Sequence, residues 1–177
     1  MKLLSFERGG KPSWGAVVND GVVDLGAKLG KYPTLRSALA GGALNDAAAA
    51  AKGATPDAAL KDVTFLPVIP DPDKILCVGL NYKSHIEETG RGDSDYPVLF
   101  SRFANTQVGH GRPLLRTKVS TDFDYEGELA VIIGKTGRHI AEAKALDHVA
   151  GYACYNDATF RDWQRHSTQF TPGKNFP

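Results

Sequence analysis

The side chains best placed to do chemistry in this chain are three carboxylates, Glu126, Glu128 and Asp157. The segment Asp124-Tyr-Glu126-Gly-Glu128 runs straight into Leu129-Ala-Val-Ile-Ile133, an apolar stretch of strand type. Side chains on a strand alternate with a period of two. Asp124, Glu126 and Glu128 therefore share one face, and Tyr125, Leu129, Val131 and Ile133 share the other. The acidic face continues as Ala130 and Ile132, so the acids sit at one end of a strand that enters a core. Crowded carboxylates on a partly buried face are unfavourable unless a cation offsets them. A hard divalent ion (Mg²⁺, Mn²⁺ or Ca²⁺) does so through oxygen ligands. Taken alone, Glu-x-Glu also suits a solvated face of ordinary charges, and Asp124 suits an ion pair with a nearby Arg or Lys.

Asp157 follows another apolar run, Ala150–Tyr155, and precedes Thr159-Phe-Arg161-Asp-Trp-Gln164. A carboxylate where a strand ends and a helix begins can be a helix cap. If the helix starts there, Arg161 and Gln164 fall four and seven residues on, along the same face. An acid, a guanidinium and an amide on one face suit a ligand carboxylate or carbonyl, and equally a polar helix surface. The third group is His85 with Glu88, spaced i, i+3 on a short helical segment. A carboxylate beside an imidazole orients it and raises its basicity. A surface ion pair has the same spacing.

The elements that must position these groups divide at Pro67-Val-Ile-Pro70-Asp-Pro72. Three prolines in six residues continue neither a helix nor a central strand. Residues 1–70 are expected to form a small N-terminal domain, and 71–177 a second domain that carries all the candidate groups. In the first, Ala16-Val-Val, Asn19-Asp-Gly21 and Val22-Val-Asp-Leu25 spell a hairpin. Residues 34–53, with five consecutive alanines, are expected to be a surface helix. In the second, strands are expected at Lys74–Gly79, Pro97–Phe100, Phe123–Gly134 and Ala150–Tyr155. A helical turn is expected at Asn81–Glu88 and a short helix at Ile140–Leu146. Residues 90–95 are expected to be a mobile polar loop that could act as a lid.

The length of 177 residues suits a domain with a small appendage, and 42% hydrophobic content is enough for a core. A net charge of +1 gives no field that implies nucleic acid or an anionic membrane. The N-terminal apolar run is too short for a signal-peptide core, and no run approaches the length of a membrane span. A cytoplasmic location is the expectation. Cys77 and Cys154 lie far apart among apolar residues and are expected to be buried thiols, not a disulfide or a zinc pair.

Taken together, the motifs resemble the fumarylacetoacetate hydrolase family. The resemblance rests on Lys74-Ile-Leu-Cys-Val-Gly-Leu-Asn-Tyr with His85 just after, and on Phe123-Asp-Tyr-Glu-Gly-Glu-Leu-Ala-Val-Ile-Ile-Gly-Lys135. It continues through Gly137-Arg-His-Ile140, Val149-Ala-Gly-Tyr152, Asn156-Asp157, Arg161-Asp162 and Gln164, and closes on Gly173-Lys-Asn-Phe-Pro177. It implies a mixed α/β, mainly β fold: a β-roll or barrel-like catalytic domain behind a small N-terminal hairpin and helix domain, usually a homodimer. It implies Glu126, Glu128 and Asp157 as ligands of Mg²⁺ or Mn²⁺, and demotes Asp124 to a structural neighbour. It implies His85 and Glu88 as the pair that activates a water, with Lys174 catalytic and in contact with substrate. Gln164 and Arg161 are implied as substrate contacts.

The implied chemistry is hydrolytic C–C cleavage of acylpyruvates through a metal-chelated enolate. Decarboxylation or isomerisation of oxaloacetate-like or hydroxymuconate-type acids is the alternative within the family. The resemblance also implies that the family's catalytic domain continues beyond the motif ending at Pro177. A non-catalytic metal-binding fragment is thus the alternative of another class.

Overall fold

The computed structural model describes residues 1–90 and 95–176. These form two compact units. The first comprises Met1–Asp71, Val108–Leu114 and Gly127–Tyr155; the second comprises Pro72–Gln107, Leu115–Glu126 and Asn156–Pro177. The first break falls inside the proline-rich segment. Residues 127–155, which the sequence places in the second domain, group with the first unit.

In the first unit, strands β1 (Leu3–Arg8), β2 (Lys11–Val18), β3 (Gly21–Asp24), β4 (Ala58–Ala59) and β5 (Thr64–Phe65) make one sheet in the order β4-β3-β2-β1-β5. The order follows from two tight antiparallel hairpins. Gly9 and Gly10, at φ +56 and +75, close the first, with Arg8 opposite Lys11. That pair of positive φ angles matches the right-handed twist of the flanking strands and suits glycine. The Asn19-Asp20 turn closes the second, with Val18 opposite Gly21 and Asn19 at φ +52.

Both faces of this sheet are covered. Trp14, Ala16, Val23 and Leu25 pack with Leu35, Ala38, Ala47 and Ala51. Leu4, Phe6 and Val22 form a second cluster with Val17, Leu60, Val63 and Phe65. Trp14 is fully buried and its indole N–H donates to the Tyr32 carbonyl at 2.7 Å, so its burial leaves that donor satisfied.

The expected single helix over 34–53 is instead two, α2 (Leu35–Ala40) and α3 (Leu44–Ala51), after a one-turn α1 (Leu25–Lys28). Gly41-Gly42 breaks it, with Gly42 at φ +68. The alanine run also does more than cover surface. Ala47 and Ala51 belong to the core, because a methyl side chain lets the helix backbone come close to the sheet. The rest of this unit includes a two-stranded sheet of β9 (Gly127–Ile133) and β10 (Val149–Asn156). The helix expected at Ile140–Leu146 is a 3₁₀ segment, Glu142–His148.

The second unit pairs β6 (Ile75–Gly79) with β7 (Val98–Arg102), and β8 (Phe123–Asp124) with β11 (Thr159–Phe160), both antiparallel. Its helices are α4 (Lys83–Thr89), α5 (Arg161–Gln164) and α6 (Thr171–Lys174). Helix α4 ends at Gly90 in the left-handed conformation. Residues 91–94 of the expected mobile loop lie outside the described residues. Neither cysteine is in a disulfide; Cys77 is half-buried and Cys154 is exposed, the latter contrary to expectation. Strand alternation turns Cys154 to the outer side of β10 together with Tyr152. Among the described residues no helix is long and apolar enough to cross a membrane.

Candidate functional site

The expected continuous strand over Phe123–Gly134 is interrupted at Tyr125-Glu126. The backbone there leaves one pairing for another. The Glu126 N–H donates to the Asn156 side-chain oxygen at 3.0 Å, and the Glu126 carbonyl accepts from the Asp157 N–H at 2.9 Å. This exchange, partly through a side chain, brings Glu126 beside Asp157. It also breaks the alternation that placed Glu126 and Glu128 on one face. Glu128 is the second residue of β9, half-buried on the side of Ala130 and Ile132, and belongs to the first unit.

The centre of the second unit is a charge cluster around Lys174. Its ammonium lies 2.6 Å from Asp157 Oδ2, 2.9 Å from Glu126 Oε1 and 3.3 Å from the Asp157 carbonyl. Arg102 donates to Asp157 Oδ1 at 2.7 Å and to the Ala158 carbonyl at 3.0 Å. Arg161 reaches Glu126 Oε1 at 2.8 Å, Asp124 Oδ2 at 2.8 Å and the Gln164 side-chain oxygen at 3.1 Å. The Thr159 hydroxyl sits 2.8 Å from Glu126 Oε1 and 2.9 Å from the Asp157 carbonyl.

Burial grades the cluster. The side chains of Lys174, Asp157 and Arg102 are 1%, 4% and 6% exposed, whereas Glu126 and Arg161 are near 20%. Three cations meet three carboxylates, and each buried charge has a partner, which is the condition under which buried charges persist.

The local sequence explains how Lys174 gets there. Pro172 lies in the first turn of α6, where its missing N–H costs no hydrogen bond. Gly173 abuts α5: a Cβ at this position would come within 2.5 Å of the Gln164 backbone nitrogen. Asn175 ties the end of α6 to the strand that carries Arg102. It accepts from the Phe103 N–H at 2.9 Å and donates to the Ser101 carbonyl at 3.0 Å. Phe176 packs edge-on against Phe160 and Trp163. In Gly173-Lys-Asn-Phe, then, the glycine allows close approach, the lysine brings charge, the asparagine attaches and the phenylalanine packs.

Asp157 does not cap a helix. Ala158 and the short strand Thr159–Phe160 separate it from α5, and its carboxylate goes to Arg102 and Lys174. Asp124 pairs with Arg161, the ion-pair reading left open by the sequence. His85 and Glu88 lie on α4, with Nδ1 3.9 Å from Oε2 and both side chains exposed. Asp162, beside the cluster on α5, has its carboxyl held below the usual range, chiefly by the Ser120 hydroxyl donating to it at 2.7 Å.

Arg102, Thr159 and Ser120 were not singled out by the sequence. For Arg102 one signal existed: a lone guanidinium ending the apolar strand Val98-Leu-Phe-Ser, which cannot be buried without an anionic partner.

For a divalent ion, the donor chemistry fits. The side chains are carboxylates, the ligands hard cations prefer. Among the described residues, however, no three His, Cys, Asp or Glu side chains converge on a metal-sized space. Glu126 and Asp157 come together, but on Lys174.

Against this geometry, comparison with known proteins gives the class. Residues 74–177 match the model of the fumarylacetoacetate hydrolase C-terminal domain. The chain belongs to the fumarylacetoacetate hydrolase family. Among characterised relatives, it is 35% identical over 185 residues to a mitochondrial oxaloacetate tautomerase of Xenopus laevis. The match takes in 99% of this chain and 58% of that protein.

Among solved structures, a fumarylacetoacetate hydrolase from Exiguobacterium antarcticum superposes with a TM-score of 0.76 at 32% identity, over 99% of this chain and 62% of that one. A maleylpyruvate hydrolase from Sphingobium sp. SYK-6, in complex with manganese(II) and pyruvate, gives 0.71 at 27% identity, over 91% and 60%. The chain therefore spans about six tenths of the length of each of these proteins. The mixed, mainly β fold is that of the family.

Proposed function

We propose that this chain carries the site of an enzyme that interconverts the keto and enol forms of a small 2-oxo dicarboxylic acid of the oxaloacetate type. The observation that carries the reading is the buried ammonium of Lys174, held across Glu126 and Asp157 with Arg161 alongside. Enolisation moves one proton between C3 and the 2-oxo oxygen and builds negative charge on that oxygen. An N–H donor aimed at that oxygen in a water-poor site stabilises such charge most effectively. Lys174 supplies the donor, and Arg161 supplies a guanidinium for a substrate carboxylate. His85, beside Glu88, takes the C3 proton. Glu126 and Asp157, which the second unit brings together, would hold Mg²⁺ or Mn²⁺, which when bound supplies Lewis acidity towards the 2-oxo acid. The cluster is already balanced in charge, so a divalent ion enters it at lower electrostatic cost together with an anionic substrate. The name of the Xenopus relative supports this substrate class.

Hydrolytic cleavage of acylpyruvates is the second reading. The His85–Glu88 pair favours it, because only hydrolysis needs an activated water. A homodimer in the cytoplasm completes the proposal.

The test follows the ultraviolet absorbance of enol-oxaloacetate with the 177-residue chain in Mn²⁺. Lys174→Met is expected to slow ketonisation about 100-fold or more. A rate unchanged by Lys174→Met, or by Glu126→Ala, sinks the proposal. Acylpyruvate cleavage that is lost in His85→Ala while ketonisation survives would move the assignment to the second reading.

A further inference from the structure

Three cations touch the proposed ligand carboxylates, but they do not stand in equivalent places. Arg102 contacts Asp157 and is tethered to the Ala158 carbonyl. Arg161 contacts Glu126 and Asp124. Lys174 touches both Glu126 and Asp157, at 2.9 and 2.6 Å. An ion ligated by both carboxylates needs the space its ammonium fills. We infer that Lys174 is a built-in competitor for the divalent ion: the ion binds Glu126 and Asp157 by displacing the ammonium, and the displaced ammonium is thereby delivered to the substrate.

The inference rests on the metal reading above and deepens it. Lysine chemistry suits this role. Its charge is compact and sits on a flexible four-carbon stem, whereas the planar, multiply bonded Arg102 is fixed. The Phe100 ring, its centroid 5.1 Å from Nζ, offers a neighbouring face where a cation is favourable. The device has two consequences. The cluster stays charge-balanced before the ion arrives, which a pair of bare buried carboxylates would not. Metal affinity is also lowered by the work of moving the lysine, so ion binding and the exposure of the proton donor become one event.

The experiment titrates Mn²⁺ calorimetrically into the 177-residue chain and its variants at one pH and ionic strength, with folding followed by circular dichroism. Lys174→Met and Lys174→Gln are expected to bind Mn²⁺ roughly tenfold tighter or more than the parent, because a like charge has been removed from the ion's position. Asp157→Asn is expected to lose binding.

Affinity in both Lys174 variants equal to or weaker than that of the parent overturns the inference and leaves the metal reading standing. Absence of Mn²⁺ binding in the parent and in both Lys174 variants, or binding unaffected by Asp157→Asn, removes the metal reading itself. Variants that fold only when Mn²⁺ is added support the inference, since the ion then replaces the lost charge. Failure of both to fold in saturating Mn²⁺ overturns it.

Discussion

At the scale of single residues, what decides the site is how each buried charge is met. The crowding of Asp124, Glu126 and Glu128 on one strand face calls for a cation, expected from the sequence to be a divalent ion, with an Arg or Lys as the other partner open to Asp124. The structure supplies Arg102, Lys174 and Arg161 from the chain itself. Asp157 and Lys174 were legible because each sits in a specific motif. Arg102 was not, because its partner lies 55 residues away and no spacing rule connects them. Its energetic weight is nevertheless large. Removing one member of a buried pair leaves the other as an uncompensated charge, a loss of about 3–5 kcal/mol. Arg102→Met should therefore lower stability by roughly that amount in a denaturant titration. Truncating Lys144, whose pair with Asp147 is exposed, should cost under about 1 kcal/mol. Equal losses at the two positions would show that the Arg102–Asp157 pair is not buried in solution.

At the scale of elements, several local signals match the structure, whereas the Gly41-Gly42 break in the helix expected over 34–53 and the change of strand partner at Tyr125-Glu126 do not follow from the sequence pattern as read. The Asn19-Asp20 turn, α4 with its glycine end and the β6 and β7 strands follow from local chemistry. The break at Tyr125-Glu126 does not. It depends on Asn156, thirty residues on, accepting the Glu126 N–H. A period-two pattern carries no mark of where a strand changes partner. For the same reason Glu128 could not be placed relative to Glu126 from spacing alone.

Attachment between elements can be tested at Ser120, whose hydroxyl ties the loop before β8 to α5 through Asp162. The depressed Asp162 carboxyl contributes stability that is fully present above its unfolded value, about pH 4, and is lost as pH falls through its folded value. Ser120→Ala should raise the Asp162 titration midpoint towards the ordinary value in a carboxyl NMR titration. It should lower Tm at about pH 7, and the Tm difference should shrink in acid and vanish once Asp162 is protonated in both proteins. A Tm difference that persists undiminished in acid would assign the effect of Ser120 to packing.

At the scale of the whole molecule, the distribution of apolar surface distinguishes the two kinds of sheet. The N-terminal sheet buries both faces. On β9 the alternation leaves Leu129, Val131 and Ile133 exposed while Glu128, Ala130 and Ile132 are half-buried. Exposed large side chains in one stripe are unusual, because water penalises a contiguous apolar patch while a single exposed leucine is ordinary. The stripe was visible in the sequence, but its meaning was not. Periodicity assigns two faces and cannot say which is covered.

Because Leu129 and Val131 bury little in the chain, replacing both with threonine should remove apolar surface without removing core contacts. Threonine is β-branched and so suits a strand at both positions. The double variant should therefore keep Tm within about 2 °C of the parent, since surface changes away from special features fall within about 0.5 kcal/mol. It should also bind markedly less of a hydrophobic dye such as anilinonaphthalene sulfonate and stay soluble at higher salt. A fall in Tm well beyond that range would mean that the stripe is covered within the folded chain in solution, and would move the outer face of β9 from surface to core.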